Sequence, residues 1–243
     1  MAIAASDVAP ATARSGERFF LVMAILLAVL VFASFTPSFY LRPFLLPDTG
    51  FRRYDTLLPT YLLVHGVFLT AWYLLLPTQA ALVAKGRTDL HRRLGVLGVL
   101  VALGTVPTAF LAVARAPAPG PVTGVDVMGI GTFAICVALA ITVRNRPPEH
   151  KRLMLIASIA PMPMAFARVE LLAANIGMQL PSFSSVGATM ILLAVVVGYD
   201  LVVQRRPHRG TVKGLLVTFV VVPLLAGALG ATGLIEQLAE LAR

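Results

Sequence analysis

Apolar runs of roughly 20 residues, separated by short polar stretches, repeat along the whole chain. A run of that length crosses a ~30 Å hydrocarbon core as an α-helix. Seven such spans are predicted: Phe19–Phe35, Leu57–Val83, Leu94–Ala114, Val125–Val143, Leu153–Ala174, Ser185–Val203 and Gly214–Leu234. The predicted fold class is therefore all-α, a polytopic membrane helical bundle. Residues 1–17 are small and polar and are expected to form a disordered tail. Residues 18–234 are expected to form the seven-helix domain. In residues 235–243, Ile235, Leu238 and Leu241 fall at helical spacing, which fits a short amphipathic tail. The first apolar run has no clean small-x-small cleavage site after it (Ala33-Ser34-Phe35 matches poorly), so it is read as a retained first helix. The longest connection, from Thr36 to Thr56, is rich in Pro, Phe and Tyr and is expected to lie along the outer leaflet.

Composition agrees with the pattern. The chain is 58% hydrophobic and 13% charged, with a mean hydropathy of +0.87, whereas a soluble domain carries about a quarter charged residues. The net charge of +9 is not read as a nucleic-acid signal, because its distribution has another cause. Fourteen basic residues fall in the N-terminal tail and the loops after spans two, four and six, against five on the opposite side. The positive-inside rule then predicts a cytoplasmic N-terminus, with the basic loops against anionic headgroups or a membrane-protein partner. The bacterial inner membrane is the expected location. The single cysteine, Cys136, lies inside an apolar run, which excludes an intrachain disulfide.

The polar residues that could carry chemistry are few. Three histidines, His91, His150 and His208, recur at intervals of 59 and 58 residues, each beside basic residues and ahead of an apolar run. The interval suggests a hairpin repeat, although the positive-inside rule applied three times gives the same basic loops. All three would lie at the cytoplasmic face. His91 and His150 precede spans three and five, and histidines on alternate helices can face each other across a bundle as axial ligands of one haem iron. The plainer reading is contact with phosphate headgroups. His208 is set further from its span. His65 lies about eight residues into span two, ~12 Å deep. A histidine at such depth is a functional candidate by default, and its plainer reading is a hydrogen bond to a neighbouring helix.

Asp126, Arg168 and Glu170 form a candidate polar cluster towards the outer side, either a structural ion pair or the lining of a cavity. Pro161 and Pro163 precede the last two and are expected to kink span five. Asp200 is expected to pair with Arg205 and Arg206. No phosphate-binding loop, nucleophile elbow or zinc-protease motif is present.

The runs His65-Gly66-Val67-Phe68-Leu69 through Trp72 and Leu76-Pro77, then Leu90-His91-Arg92, resemble the second and third helices of the cytochrome b561 superfamily. That resemblance implies a b-type haem held by His91 and His150, and His65 as an outer-side ligand. Span four carries no histidine, and Met128 is the residue in its outer half. Leu90-His91-Arg92-Arg93-Leu94-Gly95, Pro148-Glu149-His150-Lys151-Arg152-Leu153-Met154, Tyr199-Asp200 and Pro207-His208 resemble a group of bacterial multi-pass membrane proteins, a likeness that implies architecture and no activity. The leading expectation is a haem b electron-transfer protein. The alternatives are a non-catalytic accessory or assembly protein, and a small-solute transporter with its site near Arg168 and Glu170.

Overall fold

The computed structural model describes residues 11–45, 58–115, 121–175, 177–181, 184–233 and 237. Helix α1 (Ala11–Phe35) runs into a wide π-helical turn, Thr36–Tyr40, and a short α2 (Arg42–Leu45). Then follow α3 (Thr60–Ala84), α4 (Thr88–Ala114), α5 (Pro121–Thr142), α6 (Pro147–Ile159), α7 (Met162–Asn175), α8 (Ser184–Gln204), α9 (Arg209–Leu216) and α10 (Val222–Ala231). Among the described residues there is no strand, and seven helical stretches are long and apolar enough to cross a membrane. The architecture is an all-α polytopic membrane bundle. The tail expected at 235–243 lies, apart from Gln237, outside the described residues, as do residues 1–10.

Two spans are interrupted, each for a covalent reason. The fifth breaks between Ile159 and Met162, where Pro161 and Pro163 cannot donate the helical hydrogen bond. The seventh passes through a π-helical turn, Val217–Val221, immediately before Pro223. The extra residue in that turn makes room for the proline ring. Trp72 and Tyr73 on α3 fasten the first break: Trp72 Nε1 donates to Ser158 Oγ at 3.1 Å, and the Tyr73 hydroxyl donates to the Ser158 carbonyl at 2.7 Å.

Several helices begin earlier than hydropathy predicts. Helix α4 starts at Thr88 rather than Leu94, and α6 at Pro147 rather than Leu153. Charged residues end an apolar run but not a helix. Asp89 and Glu149 sit in first turns, where a carboxylate complements the helix dipole, and Pro fits the start of α6 because its missing N–H would be unpaired there. Likewise α1 starts at Ala11, inside the stretch expected to be a tail.

The core is built by α1, α3, α5, α6 and α8 through Leu27, Tyr73, Cys136, Leu153, Ile156 and Val196, all essentially inaccessible. Helix α3 packs between α1 and α4, α5 packs on α6, α7 on α8 and α9 on α6. The α6–α9 crossing is close because Gly210 and Gly214 face it. A Cβ at Gly210 would stand 2.9 Å from the Glu149 Cα, and one at Gly214 would stand 2.5 Å from Ile156 Cδ1. Small residues four apart let membrane helices approach in this way. The outside is apolar: Val202 is 81% exposed and Leu224 68%, a surface matched to lipid tails and not to water.

Candidate functional site at the paired histidines

Two hairpins carry His91 and His150 to the same end of the bundle, the end bearing most of the basic residues. In the first, α3 turns into α4 through Lys85–Arg87, with Gly86 at φ +72°, a left-handed conformation glycine adopts without a Cβ clash. This tight return lays Gln79 of α3 against the first turns of α4. Assigned by its hydrogen bonds, the Gln79 amide nitrogen donates to His91 Nδ1 at 2.7 Å and to the His91 carbonyl at 3.2 Å, and its oxygen accepts from the Gly95 N–H at 3.0 Å.

In the second hairpin, α5 ends by tightening. The Val143 N–H bonds the Leu139 carbonyl, and the Arg144 N–H reaches Ile141 instead of Ala140. The Ala140 carbonyl is thus one of the acceptors that a helix end leaves over. His150, in the first turns of α6, supplies the donor: its Nδ1 lies 2.9 Å from that carbonyl. A carbonyl can only accept, so Nδ1 carries a proton, and in the neutral ring Nε2 then keeps its lone pair. A histidine with one nitrogen tied to a carbonyl and the other bare is the usual state of a metal-binding imidazole.

The two rings stand with centroids 6.2 Å apart and planes at 89°. No hydrogen bond joins them among the described residues. Two imidazoles on one iron, each at ~2 Å, would place their ring centres roughly 6 Å apart. Gly95 and Gly98 follow His91 at i+4 and i+7, on the same helical face. A Cβ at Gly98 would meet nothing within 4 Å. Of the two rings, neutral His150 offers the bare Nε2, and the open side of α4 lies at Gly98, since the Gln79 amide covers Gly95.

His65 is not part of this arrangement. It lies fourteen residues before Gln79 on α3, roughly 21 Å along the helix axis. Its Nδ1 is 3.3 Å from Thr108 Oγ1. The Thr108 hydroxyl donates to the Gly104 carbonyl at 2.6 Å, so it accepts from His65. Gly66 beside it makes room for the Phe39 ring, whose nearest carbon would lie 2.2 Å from an added Cβ. Met128 packs against the core.

His208 caps α9. Its Nδ1 accepts from the Gly210 N–H at 3.0 Å, and its own N–H donates to Asp200 Oδ2 at 2.9 Å. Asp200 does not pair with Arg205 or Arg206. It is fully buried and binds Arg152, whose Nε lies 2.8 Å from Oδ1. Thr211 donates to the other oxygen. Arg152 faces inward from α6, beside the contacting rings of Phe20 and Tyr199, while Arg205 and Arg206 sit on the exposed turn. Beside this pair, Lys213 Nζ reaches Glu149 at 2.9 Å. Among the described residues, no three His, Cys, Asp or Glu side chains form a ligand set for a metal ion.

The outer-side residues divide. Glu170 turns to α8, where it accepts from Ser184 Oγ and the Ser185 N–H. Arg168 donates to the Met164 carbonyl at 2.8 Å and lies over the Phe35 ring at 3.9 Å. Its charge and that of Asp126 act on each other, but the two do not close an ion pair among the described contacts. Asp126 Oδ1 and Arg168 Nε are without a hydrogen-bond partner there.

Comparison with protein-family models, curated proteins and solved structures gives no match to this chain.

Sequence reasoning passed over Gln79 and the Arg152–Asp200 pair. Gln79 could have been found as the one amide side chain in the final third of span two. Asp200 could have been found as the only acidic residue of span six, which needs a cation from another helix.

Proposed function

We propose that the protein is an integral membrane protein that holds a b-type haem between His91 and His150 and passes electrons. The observation that carries this reading is the ring pair itself: imidazoles from two separate hairpins, 6.2 Å apart, with His150 tied through Nδ1 so that its neutral ring presents a bare Nε2. His150 and His91 would be the axial ligands, and the face of α4 at Gly98 would take the edge of the ring system. Bound haem supplies one-electron redox chemistry. The protein's part is to fix the two ligand rings, through Ala140 for one and Gln79 for the other, and to surround them with apolar helix. In this reading the basic end faces the cytoplasm of a bacterial inner membrane, and its Lys and Arg side chains meet anionic headgroups. His65, bonded to Thr108, stands outside the proposed site.

A second reading has its own support. Both Nδ1 atoms are already hydrogen-bonded within their own hairpins, which is sufficient for a purely structural role in an accessory membrane protein. A reduced-minus-oxidised visible spectrum of protein purified from haem-replete cells separates the two. Haem ligation gives Soret and α bands that disappear in His91→Ala and His150→Ala. A colourless wild-type protein refutes haem binding and leaves the accessory reading.

A further inference from the structure

The two histidines are not equivalent, and one side chain makes them differ. His150 donates from Nδ1 to a carbonyl. His91 is contacted at the same nitrogen by an amide that can face it either way. Only one orientation satisfies every neighbour. With its nitrogen towards the ring, Gln79 donates to His91 Nδ1 and to the His91 carbonyl, and its oxygen accepts from the Gly95 N–H. Turned over, it would set its oxygen against the His91 carbonyl and its NH2 against the Gly95 N–H, two repulsive contacts. The backbone of α4 thus fixes the amide, and the amide fixes the ring.

We infer that Gln79 is a positioning residue that keeps His91 Nδ1 free of hydrogen, so that the neutral ring carries its proton on Nε2. His91 and His150 are then opposite tautomers: one offers an N–H where the other offers a lone pair. Resting on the haem reading, a second consequence follows. His91 binds iron through Nε2 only after its proton leaves that atom, and a proton on Nδ1 requires the Gln79 amide to turn against α4. His150 is the ready ligand and His91 the one held in reserve. Glutamate at position 79 would reverse this, because a carboxylate accepts only and would favour the Nδ1–H form.

The test uses the full chain in lipid bilayers, with 15N-labelled histidine, at a pH of about 8 where unperturbed imidazole is neutral. His91→Asn assigns the His91 signals by their loss. In the wild-type protein, His91 should show a protonated Nε2 and a bare Nδ1, and His150 the reverse. In Gln79→Glu the His91 pattern should invert, and in Gln79→Leu, which neither donates nor accepts, both tautomers should appear. A wild-type His91 protonated at Nδ1, or a His91 pattern unchanged in both variants, overturns the inference. Haemin titration of the same proteins reads the second consequence. Gln79→Glu should bind haemin on the order of tenfold more tightly than wild type, the lower range of what residues hydrogen-bonded to metal ligands contribute. If none of the proteins binds haemin, the haem reading fails and the tautomer assignment is decided by the nitrogen spectra alone.

Discussion

Replacing Asp200 by Asn should be among the most destabilising single changes in the basic half of the bundle. The carboxylate is 0% exposed and the Arg152 side chain 4%. Asp200 accepts from Arg152 Nε at 2.8 Å, from the His208 N–H at 2.9 Å and from Thr211. The amide keeps the shape but leaves the Arg152 charge buried without a counter-charge. Removing one partner of a buried ion pair costs about 3–5 kcal/mol. The Pro148 carbonyl still accepts from Arg152 Nη1 at 2.8 Å, and the rings of Phe20 and Tyr199 still lie beside the cation. These remaining contacts place the expected loss near the lower end, at about 3 kcal/mol. Arg152→Met should cost a similar amount by stranding the carboxylate. The double variant Arg152→Met with Asp200→Asn removes both charges and should recover at least ~2 kcal/mol relative to the sum of the single effects. Reversible unfolding in mixed detergent micelles, followed by helical circular dichroism, measures all four corners of the cycle. Single losses below ~1 kcal/mol, or strictly additive losses, would show that the pair is not the electrostatic tie between α6, α8 and α9 described above.

Gly210→Ala should destabilise by ~1–3 kcal/mol, because its Cβ meets the Glu149 backbone, which cannot rotate away; Gly227→Ala, whose Cβ meets nothing within 4 Å, is the control in the same unfolding assay and should show no loss. Tyr73→Phe should cost about 1 kcal/mol for the lost bond to the Ser158 carbonyl, and an unchanged midpoint would mean that the helix break does not depend on it. The fourth prediction concerns pH. His208 titrates below its ordinary value of 6.5, first because burial disfavours the cation, then because Arg152 and Lys151 repel it, with Asp200 and Glu149 opposing. The folded form therefore prefers neutral His208, whose Nδ1 must be bare to accept from the Gly210 N–H. The cap's contribution is complete above pH 6.5 and declines as pH falls from there towards the lower folded value. His208→Asn, which keeps a capping acceptor that does not titrate, should show a flatter unfolding midpoint between about pH 5 and 7; an equal slope in both proteins would contradict this.

Hydropathy made the seven spans legible because each is set by the same length requirement, whatever packs against it. It placed helix starts poorly wherever charge entered a first turn, as at Asp89 and Glu149. His91 and His150 stood out because their context recurs. Their partners did not, since Gln79 and Ala140 act through hairpin geometry, and Ala140 contributes only a carbonyl that α5 happens to leave over. The Arg152–Asp200 pair joins residues 48 apart in the chain, and sequence distance instead favoured Arg205 and Arg206. Asp126, Arg168 and Glu170 looked like one cluster by depth, but helix rotation sent Glu170 to the start of α8.

Each histidine of the pair is tethered inside its own hairpin, His91 to Gln79 of α3 and His150 to Ala140 of α5. Neither ring is tied to the other. The gap between them is therefore a gauge of how the α3–α4 hairpin sits against the α5–α6 hairpin. A slide of one hairpin along the membrane normal shifts the rings past each other by the same amount, while every hydrogen bond within each hairpin stays intact. Conversely, any guest that binds both rings rivets the two halves together at one register.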